Sequence, residues 1–216
     1  MVTIPEIVIA IVKRSPYLED ALARGVINVS ALARRILPQV REEAMKEVRQ
    51  GAVIMAISRL ACDLKRRNEI RKGFFAASPD LMVRSGLIEM TFAFSDTLVR
   101  HQKDLLDRIG SKRDLFVTFT HGVFEMTVIA GRGLDGEIRE AFEGEKLLAR
   151  IETLSAVTVK LPQGSPEVPG IYSYILKALA WENINVVEVV STLNELTLII
   201  ADKDIDRAFA VLKHLA

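Results

Sequence analysis

A Pro-Gly pair in front of an apolar helix pattern is the feature of this 216-residue sequence with the clearest chemistry. Pro169 fixes the direction of the chain, and Gly170 lets a ligand approach the backbone closely. Apolar residues recur at helical spacing from Ile171 onward, so the unpaired N–H groups of a first helical turn would follow the pair. Such groups, together with the positive end of the helix dipole, bind carboxylates. The alternative is that Gly170 only makes the turn.

The elements around this turn follow a βαββα order. Residues 156–161 alternate apolar and polar side chains, which predicts a half-buried strand before the turn. After the helix, two β-branched runs at 186–190 and 196–200 are separated by 191–195, a connection that suits a hairpin. Asp204 then caps a final helix. The predicted apolar face of that helix consists of Ile205, Ala208, Phe209, Leu212 and Leu215.

Spaced positions in this segment resemble the ACT domain, and among ACT domains the regulatory tail of aspartokinases. The matching motifs are Val168-Pro169-Gly170-Ile171, Ile184-Asn185-Val186, Ser191-Thr192 with Glu195, and Asp206-Arg207-Ala208 with Val211-Leu212. The hairpin departs from that pattern, because Leu193-Asn194 stands where aspartokinase tails usually have one residue.

The resemblance implies a site for a small amino acid. Pro169, Gly170 and Ile171 would bind the carboxylate of the ligand, and Asn185 of a partner module would reach its amino group. The alternative for Asn185 is that it only caps the end of a strand.

The same element order is predicted once more, upstream. A strand at 87–94 runs into Ser95-Asp96, which can cap a helix to residue 109 with Leu98, Leu105, Leu106 and Ile109 on its apolar side. Two strands then flank His121-Gly122 as a tight hairpin, and a second helix is predicted at 136–148. The resemblance implies that the two copies share an extended sheet, within or between chains. Because the first copy lacks Pro and Gly and its Asp96 would repel a carboxylate, we expect it to be structural.

The first 75 residues predict a different, helical domain. Thr3 and Glu6 fit a capping box for a helix to residue 14, although the β-branched run 7–12 would also suit a strand. Further helices are predicted from Ser15-Pro16 to about Gly25, at 29–37, from Pro38 onward with Val40, Ala44 and Val48, and at 52–65.

Two features of this domain suit DNA. The turn 24–28 and the Arg34-Arg35 face after it resemble a helix-turn-helix. A basic run at 65–72, which includes Lys65, Arg66 and Arg67, would suit phosphate contacts. The alternative interpretation is an exposed helix face for the first and a solvated helix end for the second.

Composition limits the class of protein. The net charge is only +1, with the first 80 residues basic and the remainder acidic. A single cysteine, Cys62, excludes a disulfide within the chain, and with no signal peptide apparent we expect a cytoplasmic protein outside the membrane. The three histidines are scattered, and Gly131-Arg132-Gly133 lacks the third glycine of a dinucleotide loop. We therefore expect no enzyme activity, no metal and no cofactor.

The sequence as a whole predicts an α+β protein. A helical bundle at 1–75, resembling a helix-turn-helix, precedes two ferredoxin-like βαββα ACT modules at 82–150 and 151–216. The predicted function is a regulatory protein that binds a small amino acid as a homodimer or higher oligomer and relays binding through the helical domain to DNA or a partner enzyme. The alternative is an assembly module that does not sense a ligand and docks onto a partner enzyme.

Overall fold

The computed structural model of the protein describes residues 2–75, 80–110 and 115–215. The chain divides into two compact units, Met1–Phe74 and Phe75–Ala216. The first unit is helical, and the second combines a sheet with helices.

Four helices form the first unit: α1 (Ile4–Lys13), α2 (Pro16–Ala23), α3 (Val29–Ala44) and α4 (Gln50–Phe75). The run 7–12 lies in α1, so the helical interpretation is right and the strand alternative is wrong. Helix α1 begins with the predicted capping box, in which the Thr3 hydroxyl accepts from the Glu6 N–H and the Glu6 carboxylate accepts from the Thr3 N–H. Buried aliphatic side chains from all four helices pack together, among them Val8, Val12, Ala33, Val40, Val53 and Ile57.

Two helix boundaries differ from the prediction. Pro38 does not open a helix but lies inside α3, because Ile36 and Val40 on either side of it are both buried in the bundle. The helix ends instead at Ala44, and the C-cap residue Met45 adopts the left-handed conformation with φ of 47°. Helix α4 does not stop near Lys65 but continues through the basic run.

The second unit contains two successive groups of elements. We call β1 (Leu81–Ala93), α5 (Leu98–Ile109), β2 (Val117–His121), β3 (Glu125–Gly131) and α6 (Asp135–Ala141) the first module. The second module consists of β4 (Leu147–Lys160), α7 (Ile171–Trp181), β5 (Val186–Ser191), β6 (Glu195–Ala201) and α8 (Ile205–Lys213). The βαββα order therefore occurs twice, as the sequence predicted.

All six strands form one antiparallel sheet in the order β2-β3-β1-β4-β6-β5. The central strands β1 and β4 are the longest, with 13 and 14 residues. The second half of β1 lies between β3 and β4, and the second half of β4 lies between β1 and β6. Each long strand thus contributes to both modules, and the predicted boundary between residues 150 and 151 falls inside β4.

The sheet has two buried sides. On one side, residues from β1 and β3 pack against α5 and α6, and those buried there include Ile88, Met90, Leu105, Met126, Val128 and Ile138. Alternation along the strands places another group on the opposite side. That second cluster consists of Leu87, Ile129, Leu154, Ala156 and Ile199, with Phe116, Val187 and Val190 packed against it.

The register repeats between the modules in detail. The Gly122 N–H donates to the Glu125 carbonyl over 2.8 Å, and the Thr192 N–H donates to the Glu195 carbonyl over 2.9 Å, so the two hairpins have the same three-residue connection. The predicted two-residue turn at His121-Gly122 is therefore wrong, because residues 123 and 124 belong to the connection and both are exposed. A pair of threonine hydroxyls also recurs, Thr91 with Thr127 in the first module and Thr158 with Thr197 in the second.

Other predicted bounds in the first module change as well. Helix α5 begins at Leu98, two residues after the predicted cap, and the side chain of Leu106 is 42% exposed and does not belong to the buried face. Helix α6 ends at Ala141, because the chain from Leu147 onward is taken into β4. In the second module Asp204 stands at the N-cap of α8, but its carboxylate binds Arg207 rather than the helix amides.

Candidate functional site

The predicted turn lies at the start of α7 in the second module. Gly170 is the N-cap residue and adopts the left-handed conformation, with φ of 88°. No side chain caps α7, whereas Thr3 caps α1 and Asn28 caps α3 by accepting from backbone N–H groups. The first amides of a helix have no partner within the helix. This turn therefore presents backbone donors of the kind that bind a carboxylate.

The three residues of the turn differ in exposure. Pro169 is exposed and Gly170 is half-buried, whereas the side chain of Ile171 is only 2% exposed and packs in the interior. A ligand at this turn would thus meet the backbone of Ile171 and not its side chain.

Asn185 lies elsewhere in the same module. It is exposed and directly precedes β5, after the C-terminal end of α7. A helix of 11 residues such as α7 is about 16 Å long at 1.5 Å per residue. The structure of one chain therefore does not bring Asn185 to the Gly170 turn.

In the first module a carboxylate of the chain itself lies beside the start of α5, where it contacts side-chain hydroxyls and does not cap the helix. The Ser95 hydroxyl donates to Glu145 Oε2 over 2.8 Å, and the Thr97 hydroxyl donates to Glu145 Oε1. His101 Nε2 lies 3.2 Å from the same Oε1. The Thr97 and Ser95 hydrogen bonds and the charge of His101 together lower the pKa of Glu145. Asp96, to which the sequence assigned the repulsive role, is exposed beside this cluster.

Glu89 is a buried carboxylate that the sequence analysis did not single out. It lies in the middle of β1 on the same side as Leu87 and is 6% exposed. Among the described residues, its Oε2 atom has no hydrogen-bond partner. Burial raises the pKa of Glu89, and the charge of Glu188 on β5 raises it further. The signal in the sequence was a glutamate within the otherwise apolar strand pattern 87–94.

A groove of about 500 Å³ lies between α7 and α8, and it too was missed. Its lining residues are Ala178, Trp181, Glu182, Arg207, Ala210, Val211 and His214. Lys177 lies over the Trp181 ring, 5.1 Å from its centre. The equivalent helices of the first module, α5 and α6, are joined by an ion pair between Arg108 and Glu140, with 3.1 Å between Nη1 and Oε2.

The predicted nucleic-acid residues lie on two helices of the helical unit. Arg34 and Arg35 are exposed on α3, and Lys65, Arg66 and Arg67 are exposed on α4. Arg66 forms an ion pair with Asp63, with 3.5 Å between Nη2 and Oδ1. The side chains of residues 71 and 72, also in the predicted basic run, lie outside the described residues.

No three histidine, cysteine or acidic side chains come together as a metal site within the part of the chain that the structure describes. No helix among the described residues has the length and hydropathy needed to cross a bilayer.

Several solved structures share the fold of the second unit. The ligand-free regulatory subunit of aspartate kinase from Thermus thermophilus superposes with a TM-score of 0.52 and 13% identity, over 62% of this chain and 95% of its own. The α and β subunits of an aspartokinase match with a TM-score of 0.51 and 14% identity, over 62% and 95%. Aspartate kinase from Clostridium acetobutylicum matches with a TM-score of 0.52 and 15% identity, over 62% of this chain and 34% of the enzyme.

The paired modules have the aspartokinase regulatory fold. The predicted resemblance to tandem ACT modules of the aspartokinase regulatory tail is thereby confirmed at the level of fold. The sequence matches no protein-family model and no curated protein. At 13 to 15% identity, the aspartokinase regulatory fold is what this chain shares with these proteins.

Proposed function

We propose that the protein is a regulatory, non-catalytic protein whose second module binds a small amino acid. The observation that carries this proposal is the left-handed Gly170 at the start of α7, where no side chain caps the helix. We take the domains to be a helical domain at 1–75 and two ferredoxin-like ACT modules, which begin with β1 and with β4. The aspartokinase regulatory fold supports a regulatory role for such modules.

Recognition of an amino acid by this turn requires a second copy of the chain. The backbone N–H groups after Gly170 bind the carboxylate, and the side-chain oxygen of Asn185 accepts from the amino group. Because the length of α7 separates Asn185 from Gly170 within one module, the Asn185 that completes the site comes from a partner module. Strand β5, which begins next to Asn185, is at the edge of the sheet, and it offers backbone groups for pairing with a partner. The active form is therefore a homodimer or a higher oligomer.

The first experiment measures thermal stability with each of the twenty amino acids at millimolar concentration. A ligand of the native state raises the melting temperature by mass action. Gly170→Val should abolish that rise, since a β-branched residue is strained in the left-handed region and its side chain occupies the approach to the backbone.

Gly164→Val is the matched control. Gly164 lies in the same connection and has φ of 83°, so both substitutions carry a similar backbone strain. The control protein should keep its response to the ligand. If both variants lose the rise in melting temperature, or if neither does, the ligand does not bind at Gly170.

The helical domain is proposed to pass the bound state to DNA. Its support is the set of exposed cations on α3 and α4. Replacement of Lys65, Arg66 and Arg67 by Gln should weaken duplex binding and make the slope of log K against log salt shallower by about one per lost phosphate contact. The control variant replaces Lys13, Lys46 and Arg49 by Gln, which gives it the same net charge as the first triple variant. Equal slopes for the two triple variants would point to a partner enzyme as the target.

A second candidate function is an assembly module that dimerises through its edge strands and docks onto an enzyme without sensing a ligand. The positions of β2 and β5 at the two edges of the sheet that the described residues form favour it. A stable dimer in sedimentation analysis, with no melting-temperature change for any amino acid, would select this function over the first.

A further inference from the structure

We propose that the first module contains a carboxylate-binding site that is permanently occupied by the chain's own Glu145. The site goes beyond the proposed function, because it lies in the module that was expected to be structural and uses none of the residues around Gly170. Its ligand class, once Glu145 is removed, is a small carboxylate.

Three side chains recognise the carboxylate of Glu145. Oε2 accepts from the Ser95 hydroxyl at 2.8 Å, while Oε1 accepts from the Thr97 hydroxyl and lies 3.2 Å from His101 Nε2. Both carboxylate oxygens are thereby engaged, which is the pattern by which proteins hold a planar carboxylate. Glu145 is held in this way although 48 to 50 residues separate it in sequence from its hydroxyl partners.

The carboxylate of Glu145 is more shielded from solvent than its hydroxyl partners, since Thr97 is exposed and Ser95 is half-buried. The side chain of Glu145 is 7% exposed and that of His101 is 18% exposed. The ring of Phe142 lies against the imidazole, with 5.8 Å between the ring centres. Removal of the glutamate side chain would therefore leave two hydroxyl donors and an imidazole around a position that is partly open to solvent.

The second module shows what this position looks like without a carboxylate. Tyr174 is the fourth residue of α7, as His101 is the fourth residue of α5. Leu215 follows the first residue of α8 by ten positions, as Glu145 follows the first residue of α6. The Tyr174 hydroxyl donates to the Leu215 carbonyl over 3.4 Å, so the contact is conserved between the modules while the carboxylate is not. Glu145 thus places a side-chain carboxylate in the first module where the second module has the backbone carbonyl of Leu215.

The test removes the internal carboxylate and offers one in solution. Glu145→Ala should lower the melting temperature, and about 0.1 M sodium acetate should restore part of the loss relative to sodium chloride of equal ionic strength. Acetate should leave the wild-type protein unchanged, because its site is full. Glu143→Ala, which removes an exposed neighbouring carboxylate, is the matched control and should not respond to acetate.

Two further variants locate the effect. Glu145→Gln keeps the volume of the side chain, so it should lose stability without regaining it in acetate. Adding Ser95→Ala and Thr97→Val to Glu145→Ala should abolish the acetate response. If Glu145→Ala is unfolded in chloride, the readout becomes its refolding as acetate is raised, with the triple variant as control. The proposal is overturned by an acetate response that is absent from Glu145→Ala or unchanged in the triple variant. Since Gly170 is untouched throughout, neither result bears on the amino-acid site.

Discussion

In the first module the chain passes from β1 to α5 through residues 94–97, whereas in the second it takes residues 161–170 to pass from β4 to α7. The short connection is held by hydroxyl contacts to Glu145. The long connection contains Gly164 and Gly170 in the left-handed conformation and leaves α7 without a side-chain cap. Neither α5 nor α7 has a side-chain cap. The same element order therefore supports two different helix starts, one beside a carboxylate of the chain itself and one preceded by a glycine in the left-handed conformation.

A second difference lies inside the sheet, on the side away from α5 and α6. Leu87 and Leu154 face each other across β1 and β4 at equivalent positions of the two modules. Two residues further along, β1 has Glu89 and β4 has Ala156. Both are buried, but only one is charged. The first module therefore carries an electrostatic cost that the second does not.

The largest expected effect tests whether the two modules fold as one body. Leu87→Ala and Leu154→Ala each remove a side chain that is at most 1% exposed, so each should lower the free energy of unfolding by about 2 to 5 kcal/mol. Because the two leucines belong to one cluster, we expect the second unit of each variant to unfold in a single urea transition. Two separate transitions in either variant, followed by circular dichroism and by Trp181 fluorescence, would show that the modules are independent.

The shared long strands could not be predicted from the sequence, and the reason is physical. Residues 81–86 and 147–153 are mostly exposed, so they lack the apolar alternation that indicates a strand. Residues 81–84 pair with residues 156–159 of β4, and residues 147–151 pair with residues 89–92 of β1. This pairing between the modules gives both segments their strand conformation. The element order was readable because each module's buried half-strands and helices carry their own periodicity.

The next effect concerns Glu89. Glu89→Gln removes a buried charge that lacks a partner for Oε2, and it should raise the free energy of unfolding at neutral pH by about 1 to 3 kcal/mol. Ala156→Glu should have the opposite sign, since it places a charge at the equivalent position of the second module. A neutral or destabilising Glu89→Gln at pH 7 would mean that this carboxylate is satisfied in the folded protein.

The gain from Glu89→Gln should depend on pH in a definite direction. The pKa of Glu89 is raised in the folded protein, so the folded state holds the proton more tightly than the unfolded state does. The wild type therefore has its full stability from this group below the unfolded value of about 4.5 and loses it as pH rises through the folded pKa. The difference between wild type and variant should vanish near pH 4 and grow toward pH 7, as measured by urea unfolding at each pH.

The candidate sites were predictable to different degrees. The Gly170 turn was found because Pro and Gly have conformational meaning in sequence. Glu145 was not found, since its partners Ser95 and Thr97 lie about 50 residues away and meet it only when the connection before β4 folds against the start of α5. Pro38 misled the prediction for a related reason, because burial of Ile36 and Val40 outweighs the local preference of proline to begin a helix.

The smallest effect tests the part of the comparison in which the modules agree. The hydroxyls of Thr91 and Thr127 are 3.0 Å apart in the first module, and those of Thr158 and Thr197 are 2.8 Å apart in the second. Thr91→Val and Thr158→Val each leave a buried hydroxyl without its partner, so each should cost about 1 kcal/mol, whereas replacing both members of a pair by Val should cost less than the two single changes together. The coupling free energies from the two double-mutant cycles should agree within about 0.5 kcal/mol, because the same cross-strand geometry occurs twice. A coupling confined to the first pair would indicate that Glu89, two residues from Thr91 on the same strand, and not the repeated register, determines its strength.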